Sequence, residues 1–281
     1  MKTLIEILCV MTIGGCFPPY DPIQEMNMQG TGAALRFSVI DIDGHDLYFA
    51  ESGDPEKQMV LFVHGTPGSW QGYASYLQNR QLASRAHLIA MDRPGFGRSA
   101  HKGWLPGFRD QASILMQMRG LNRSGLQIIL VGHSLGGSIA YRMAVDFPDE
   151  ISGMVVISAS VDPELGKARW YNRIADLFLV SWILPKGLFK ANMEIMPLRD
   201  ELLALEPLLG DVKARVTVIH GKQDKLVDFG NLAFAEKSLD RTRLKSVPLP
   251  DMGHFILWEN PDLVVSEILA LLERTYAPAV E

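Results

Sequence analysis

The sequence predicts an α/β fold in which a mostly parallel, eight-stranded sheet is flanked by helices. Three observations carry that prediction. Short, uncharged, β-branched runs such as Ile128-Ile129-Leu130-Val131 alternate with helical stretches, the pattern of strands buried on both faces by crossover helices. The first two runs instead flank Asp43-Gly44, a hairpin signal that makes the sheet start antiparallel. A length of 281 residues with 47% hydrophobic content is enough to bury one large core of this kind.

Residues 35–42 and 46–50 form the hairpin strands. Residues 58–64 are a third strand, running into His64-Gly65-Thr66-Pro67-Gly68-Ser69 and a short helix over 70–77. A fourth strand over 86–91 ends in Asp92-Arg93-Pro94-Gly95-Phe96-Gly97-Arg98-Ser99. A helix over 110–121 precedes the run at 128–131, and residues 151–157 are another core strand. Residues 159–211 then carry no strand pattern. Trp170, Tyr171, Phe178, Trp182 and Phe189 sit there in short helical pieces, which reads as a helical lid inserted between two parts of the core, 35–158 and 212–281. A strand over 215–220, a helix over 231–238, a strand over 244–249 and an amphipathic helix over 263–273 complete the pattern.

The first sixteen residues have Lys2, an apolar stretch and a small-residue exit, and are too short to span a bilayer. Ile13-Gly14-Gly15-Cys16 resembles a bacterial lipobox, which implies cleavage before Cys16, lipid on that residue, export and anchorage to a membrane of the cell envelope. Glu6 inside the apolar run departs from that pattern, and an uncleaved N-terminal helix is the alternative. Residues 17–34, with Pro18, Pro19, Pro22, Gly30 and Gly32, read as a tether. A net charge of −5 gives no general attraction to nucleic acid, and none is expected as a partner.

Gly132-His133-Ser134-Leu135-Gly136 fits G-x-S-x-G between a strand and a helix, the context in which a serine is presented on a sharp turn. The following helix starts beneath Ser134, so unpaired N–H groups and a positive dipole end face the serine. Four motifs then fall in one order: HGTPGS, DRPGFGRS, GHSLGG, and GKQDKLV with MGHF. With these, residues 35–275 resemble the α/β-hydrolase family.

The resemblance implies a nucleophile at Ser134, a general base at His254 and an orienting acid at Asp224, in the chain order of that fold. It implies oxyanion donors at the backbone N–H groups of Leu135 and Thr66. Asp162, after the strand at 151–157, is the rival acid, or else an N-cap for the insertion. His133 and His64 are expected to be structural or pocket-shaping, and Asp92-Arg93 to brace their loop by an internal ion pair. His45, His87, His101 and His220 are scattered, so no metal and no cofactor are expected. Serine in place of aspartate at the turn argues against the alkyl-enzyme chemistry of related dehalogenases and epoxide hydrolases.

The implied activity is carboxylic ester hydrolysis on a small molecule with an apolar acyl or alcohol part. Alternatives on the same fold are C–C bond or lactone hydrolysis, peptidase action on N-terminal proline, acyltransferase or perhydrolase chemistry, and a receptor module without turnover.

Overall fold

In the computed structural model, residues 32–99, 104–168 and 186–276 are described. The hairpin forms as expected: β1 (Arg36–Ile42) pairs antiparallel with β2 (His45–Gly53), with Ile42 opposite His45. Asp43 and Gly44 in the turn both take positive φ, 51° and 82°. This two-residue turn has the twist that matches its strands, and an Asp-Gly pair tolerates it.

The next strands are β3 (Met59–Val63), β4 (His87–Met91), β5 (Ile128–His133), β6 (Ile151–Ile157), β7 (Arg215–Gly221) and β8 (Leu244–Leu249). They run parallel to one another, and the sheet order is β1-β2-β4-β3-β5-β6-β7-β8. Alternation along each central strand feeds two cores. Leu61, Val63, Leu130, Met154 and Val156 face one side; Val60, Phe62, Ile129, Val131, Val155 and Ile157 face the other. Burial on both faces is why these runs read as continuously apolar.

Helices α1 (Ala74–Leu77) and α2 (Arg80–Ala83) connect β3 to β4, and α3 (Phe108–Met116) precedes β5. Helix α4 (Leu135–Asp146) leaves β5, while α5 (Lys186–Ile195) and α6 (Leu198–Leu205) belong to the insertion. Finally come α7 (Gly230–Ser238), α8 (Ile256–Glu259) and α9 (Pro261–Tyr276). One sheet face is covered by α3, α4, α6 and α7, through residues such as Phe108, Ile139, Leu202 and Leu232. The other is covered by α1, α8 and α9, through Tyr76, Leu257 and Ile268.

The helices differ from the sequence reading in several places: α2 and α8 were not expected, and α9 is longer at both ends. The segment at 70–77 opens as a 3₁₀ turn, Trp70–Tyr73, before α1. Helix α3 begins at Phe108, earlier than expected, behind a Gly107 that offers no side-chain cap. Its cap comes from elsewhere: the Glu201 carboxylate on α6 accepts the Phe108 N–H at 3.0 Å. That is an N-terminal cap supplied across 93 residues, which local sequence cannot reveal.

The insertion is also bedded more deeply than a loose cover. Leu202 and Leu205 are fully buried in the same core as Ile139 and Tyr141. Trp170, Tyr171, Phe178 and Trp182, and the N-terminal segment with Cys16, lie outside the described residues; Phe189 on α5 is half-buried.

Gly136 shows how tightly the sheet and α4 approach, because a Cβ there would collide with the Val63 and His64 carbonyl oxygens. Gly136→Ala is therefore expected to lose more than about 3 kcal/mol of stability in urea unfolding. Gly120, whose Cβ would meet nothing within 4 Å, is the control: Gly120→Ala should stay within about 1 kcal/mol of wild type.

Candidate active site

The sheet has one point where successive connections part. The chain leaving β3 passes to α1 on one face, and the chain leaving β5 passes to α4 on the opposite face. In open α/β sheets, ligands bind outside the carboxyl ends of strands at such a switch point. Thr66 follows β3, and Ser134 and Leu135 follow β5. The adjacent strands are in register, with Val63 opposite Gly132, so these three residues meet at that point. Gly65 lets them do so, since a Cβ on it would lie 2.9 Å from Ser134 Cβ.

Ser134 has φ 53° and ψ −128°, a conformation that a non-glycine residue adopts only under constraint. The constraint is visible. Ser134 N–H donates to Ile157 O at 2.9 Å, and its carbonyl accepts from Gly137 N–H at 2.9 Å. Ser134 occupies the N-cap position of α4, where a serine ordinarily bonds the first-turn amides, yet its side chain makes no capping bond. The hydroxyl is thus withheld from helix capping, on a partly exposed residue that precedes the Leu135 and Gly136 N–H groups opening α4. Leu135 supplies the first of those N–H groups and buries its side chain.

Asp224 and His254 come together at the ends of β7 and β8. His254 Nδ1 donates to Asp224 Oδ2 at 2.7 Å, with both side chains buried. Asp224 Oδ1 accepts from Leu226 N–H at 2.8 Å and Val227 N–H at 2.9 Å. Burial alone would favour the neutral acid. The nearby His220 imidazole, the hydrogen bond from His254 and the backbone N–H of Val227 outweigh it and hold Asp224 well below the usual carboxylate range. The two loops are laced together: Gln223 N–H donates to Met252 O at 3.0 Å, and a Cβ on Gly221 would strike the Met252 and Gly253 carbonyls.

The Asp224–His254 pair is brought beside the serine turn by His133. Its Nε2 donates to His254 O at 3.0 Å, and the two rings lie 4.8 Å apart. No hydrogen bond joins Ser134 to His254 among the described residues. Asp162, the rival acid, is engaged otherwise. Its Oδ1 accepts from Glu164 N–H at 2.8 Å, and its own N–H is bonded to Asn231 Oδ1, so it shapes a turn after β6.

Two readings of the sequence need correction. His220 is not merely scattered: it is fully buried, 3.5 Å from Asp224 Oδ2, and its Nε2 donates to Val227 O at 3.1 Å. Its spacing of four before Asp224 across a strand end was the only signal for it. Arg93 does brace its loop, but its charge partner is Glu194 of the insertion, at 2.6 Å, rather than its neighbour Asp92. Asp92 instead accepts the N–H groups of Trp70 and Arg98, both at 2.8 Å.

A small cavity of about 20 Å³ is bordered by Gly65, Tyr73, His133 and Trp258. Ser134 does not line it, and it is too small for a substrate.

A family model described as the alpha/beta hydrolase family matches residues 60–267. This chain belongs to the α/β-hydrolase family. It is 30% identical, over 49% of its length, to the dihydrolipoyllysine-residue acetyltransferase component of an acetoin cleaving system from Cupriavidus necator, and covers 35% of that protein. It is 31% identical to epoxide hydrolase 3 of Xenopus tropicalis over 41% of this chain and 31% of that one. The chain thus spans about a third of each of these two curated relatives. Among solved structures, a membrane phospholipase A described as a bacterial virulence factor superposes with a TM-score of 0.67. It is 18% identical, with 99% of both chains covered, which is a likeness of α/β-hydrolase fold.

The site also makes a pH prediction. Burial, and then the neighbouring His254, push the His133 pKa from 6.5 down to about 3. His64 is likewise well below its usual value, through burial and the nearby Arg93 charge. Both histidines regain ordinary values on unfolding, so the unfolded chain binds more protons below about pH 6.5. The stability they contribute is therefore complete above about pH 6.5 and is lost as pH falls towards their folded values. In His133→Gln, urea unfolding from pH 6 to pH 4.5 should show a slope shallower than wild type by about 1.4 kcal/mol per pH unit. An identical slope would show that His133 already titrates in the folded protein.

Proposed function

We propose that this α/β-hydrolase cleaves carboxylic esters through an acyl-enzyme on Ser134. The observation that carries the reading is the strained Ser134, whose hydroxyl is left out of the helix cap, set beside a buried Asp224–His254 pair. With Asp224 ionised, His254 carries its proton on Nδ1, which leaves Nε2 as the basic nitrogen.

In this mechanism Nε2 takes the Ser134 proton as Oγ attacks the ester carbonyl. The carbonyl π electrons move onto oxygen, where the Thr66 and Leu135 N–H groups receive the charge. Collapse expels the alcohol with the proton from His254. Water, deprotonated by the same nitrogen, then releases the acid and restores Ser134. Asp224 stabilises the imidazolium at each stage.

Serine at the turn supports acyl transfer over the carboxylate chemistry of epoxide opening, although an epoxide hydrolase is among the relatives. Apolar residues of the insertion support a substrate with an apolar acyl or alcohol part. We further propose that the chain is exported and lipid-anchored at Cys16, on the strength of the Ile13-Gly14-Gly15-Cys16 motif alone.

Ser134→Ala should lower kcat on p-nitrophenyl esters by about 10⁴-fold or more and abolish fluorophosphonate labelling, read by intact mass. Retention of either would overturn the nucleophile. Asp224→Asn should cut kcat by about 10⁴-fold while Asp162→Asn leaves it within about threefold. The reverse ranking would transfer the acid role to Asp162. Cys16→Ser should shift the protein from the membrane fraction to the soluble one; unchanged partition would refute the anchor.

A further inference from the structure

Arg93 is fully buried and uses its whole side chain on partners that local sequence does not link. Nε donates to His64 O at 2.9 Å and Nη2 to Gly65 O at 2.9 Å. Its guanidinium also lies over the Phe96 ring, 4.7 Å from the centroid, and reaches Gln111 on α3 and Glu194 of the insertion. Nη1 and Nη2 meet the two Glu194 oxygens at 2.6 and 3.1 Å, and Gln111 bonds both groups, at 2.5 and 2.9 Å. Glu194 is as buried as Arg93, so each charge depends on the other for its solvation.

Gly65 O belongs to the same peptide unit as Thr66 N–H. That unit is planar and trans, so the direction of its carbonyl fixes the opposite direction of its N–H. The carbonyl is held from two sides, by Arg93 Nη2 and by His64 Nδ1 at 2.7 Å. His64 is aimed in turn by Arg93, whose backbone N–H donates to His64 Nε2 at 3.0 Å. Donors on the oxygen of an amide also polarise it and strengthen its N–H as a donor.

We propose that Arg93 is the positioning residue for the Thr66 donor, and that Glu194 makes this donor's geometry depend on docking of the insertion helix α5. The inference rests on the oxyanion role given to Thr66 above. Helix α5 grips the same loop one turn earlier, where Lys190 Nζ donates to Gly95 O at 2.6 Å. Docking of α5 thus delivers the countercharge that keeps the guanidinium in place under His64 and Gly65. When α5 is away, the guanidinium loses that countercharge and with it the reason to stay buried.

The test compares wild type with Glu194→Gln, with Arg93→Lys, and with the charge-free double variant Arg93→Met/Glu194→Met. Two readouts are taken on each folded protein: the Thr66 amide by ¹⁵N NMR, in shift and solvent exchange, and steady-state ester kinetics. The Thr66 resonance should move and its exchange should quicken about tenfold or more. kcat should fall about 10²-fold with KM within about threefold, as for loss of one oxyanion donor. The double variant separates positioning from mere support, because a buried pair replaced by apolar groups can keep full stability. Positioning requires its kcat to stay low at wild-type melting temperature; recovery of kcat with stability would overturn the proposal. Arg93→Lys, which keeps a cation beside Glu194 but cannot span both carbonyls, should show the same Thr66 change. An unaltered Thr66 amide in the folded variants would also overturn the inference. If wild type neither turns over esters nor takes a fluorophosphonate, the hydrolase reading falls, and the Thr66 amide alone decides the positioning role.

Discussion

The structure depends on how closely two strand ends approach at the switch point. β3 and β5 are neighbours in the sheet, but their connections depart to opposite faces, leaving a gap at their carboxyl ends. Gly65 and Gly136 close that gap to backbone contact, with a Cβ on either meeting the opposing chain. The strained Ser134 follows from the same constraint. Its backbone is held between Ile157 O on one side and the first turn of α4 on the other. A cost of about 1–3 kcal/mol for such a conformation is small beside the core packed on both faces of the sheet.

Charge is distributed around this point so that few ionisable groups are left to chance. Asp224 is kept ionised by bonds that outweigh its burial, whereas His133 and His64 are kept neutral because burial dominates. The His254 imidazole therefore faces one fixed anion, Asp224, and one neutral ring, His133. Arg93 is the buried cation of the region, and its countercharge arrives from α5, 101 residues away. The insertion is consequently part of the site's electrostatics as well as part of the core.

Much of this was legible in the sequence because it is local or periodic. Apolar runs of Val, Ile and Leu mark the strands, Asp43-Gly44 marks the hairpin, and Gly132 to Gly136 marks the serine turn, each through the steric needs of a few adjacent residues. The pairing of His254 with Asp224 was expected from motif order, and the structure places their side chains 2.7 Å apart. Other features were not legible. The start of α3 at Phe108 depends on Glu201, and the setting of His220 depends on the loop that returns Asp224 to it.

By itself the sequence determined the alternation of strands and helices, the place of the sharp turn, and the residue types available for chemistry, because short-range sterics and hydrophobic period decide those. Tertiary structure decided which distant groups meet. Asp224 rather than Asp162 reaches His254, Glu194 rather than Asp92 balances Arg93, and Glu201 caps α3. The physical reason is the same in each case. A carboxylate can satisfy any nearby donor, and only the packed sheet with its bedded insertion determines which donor is near.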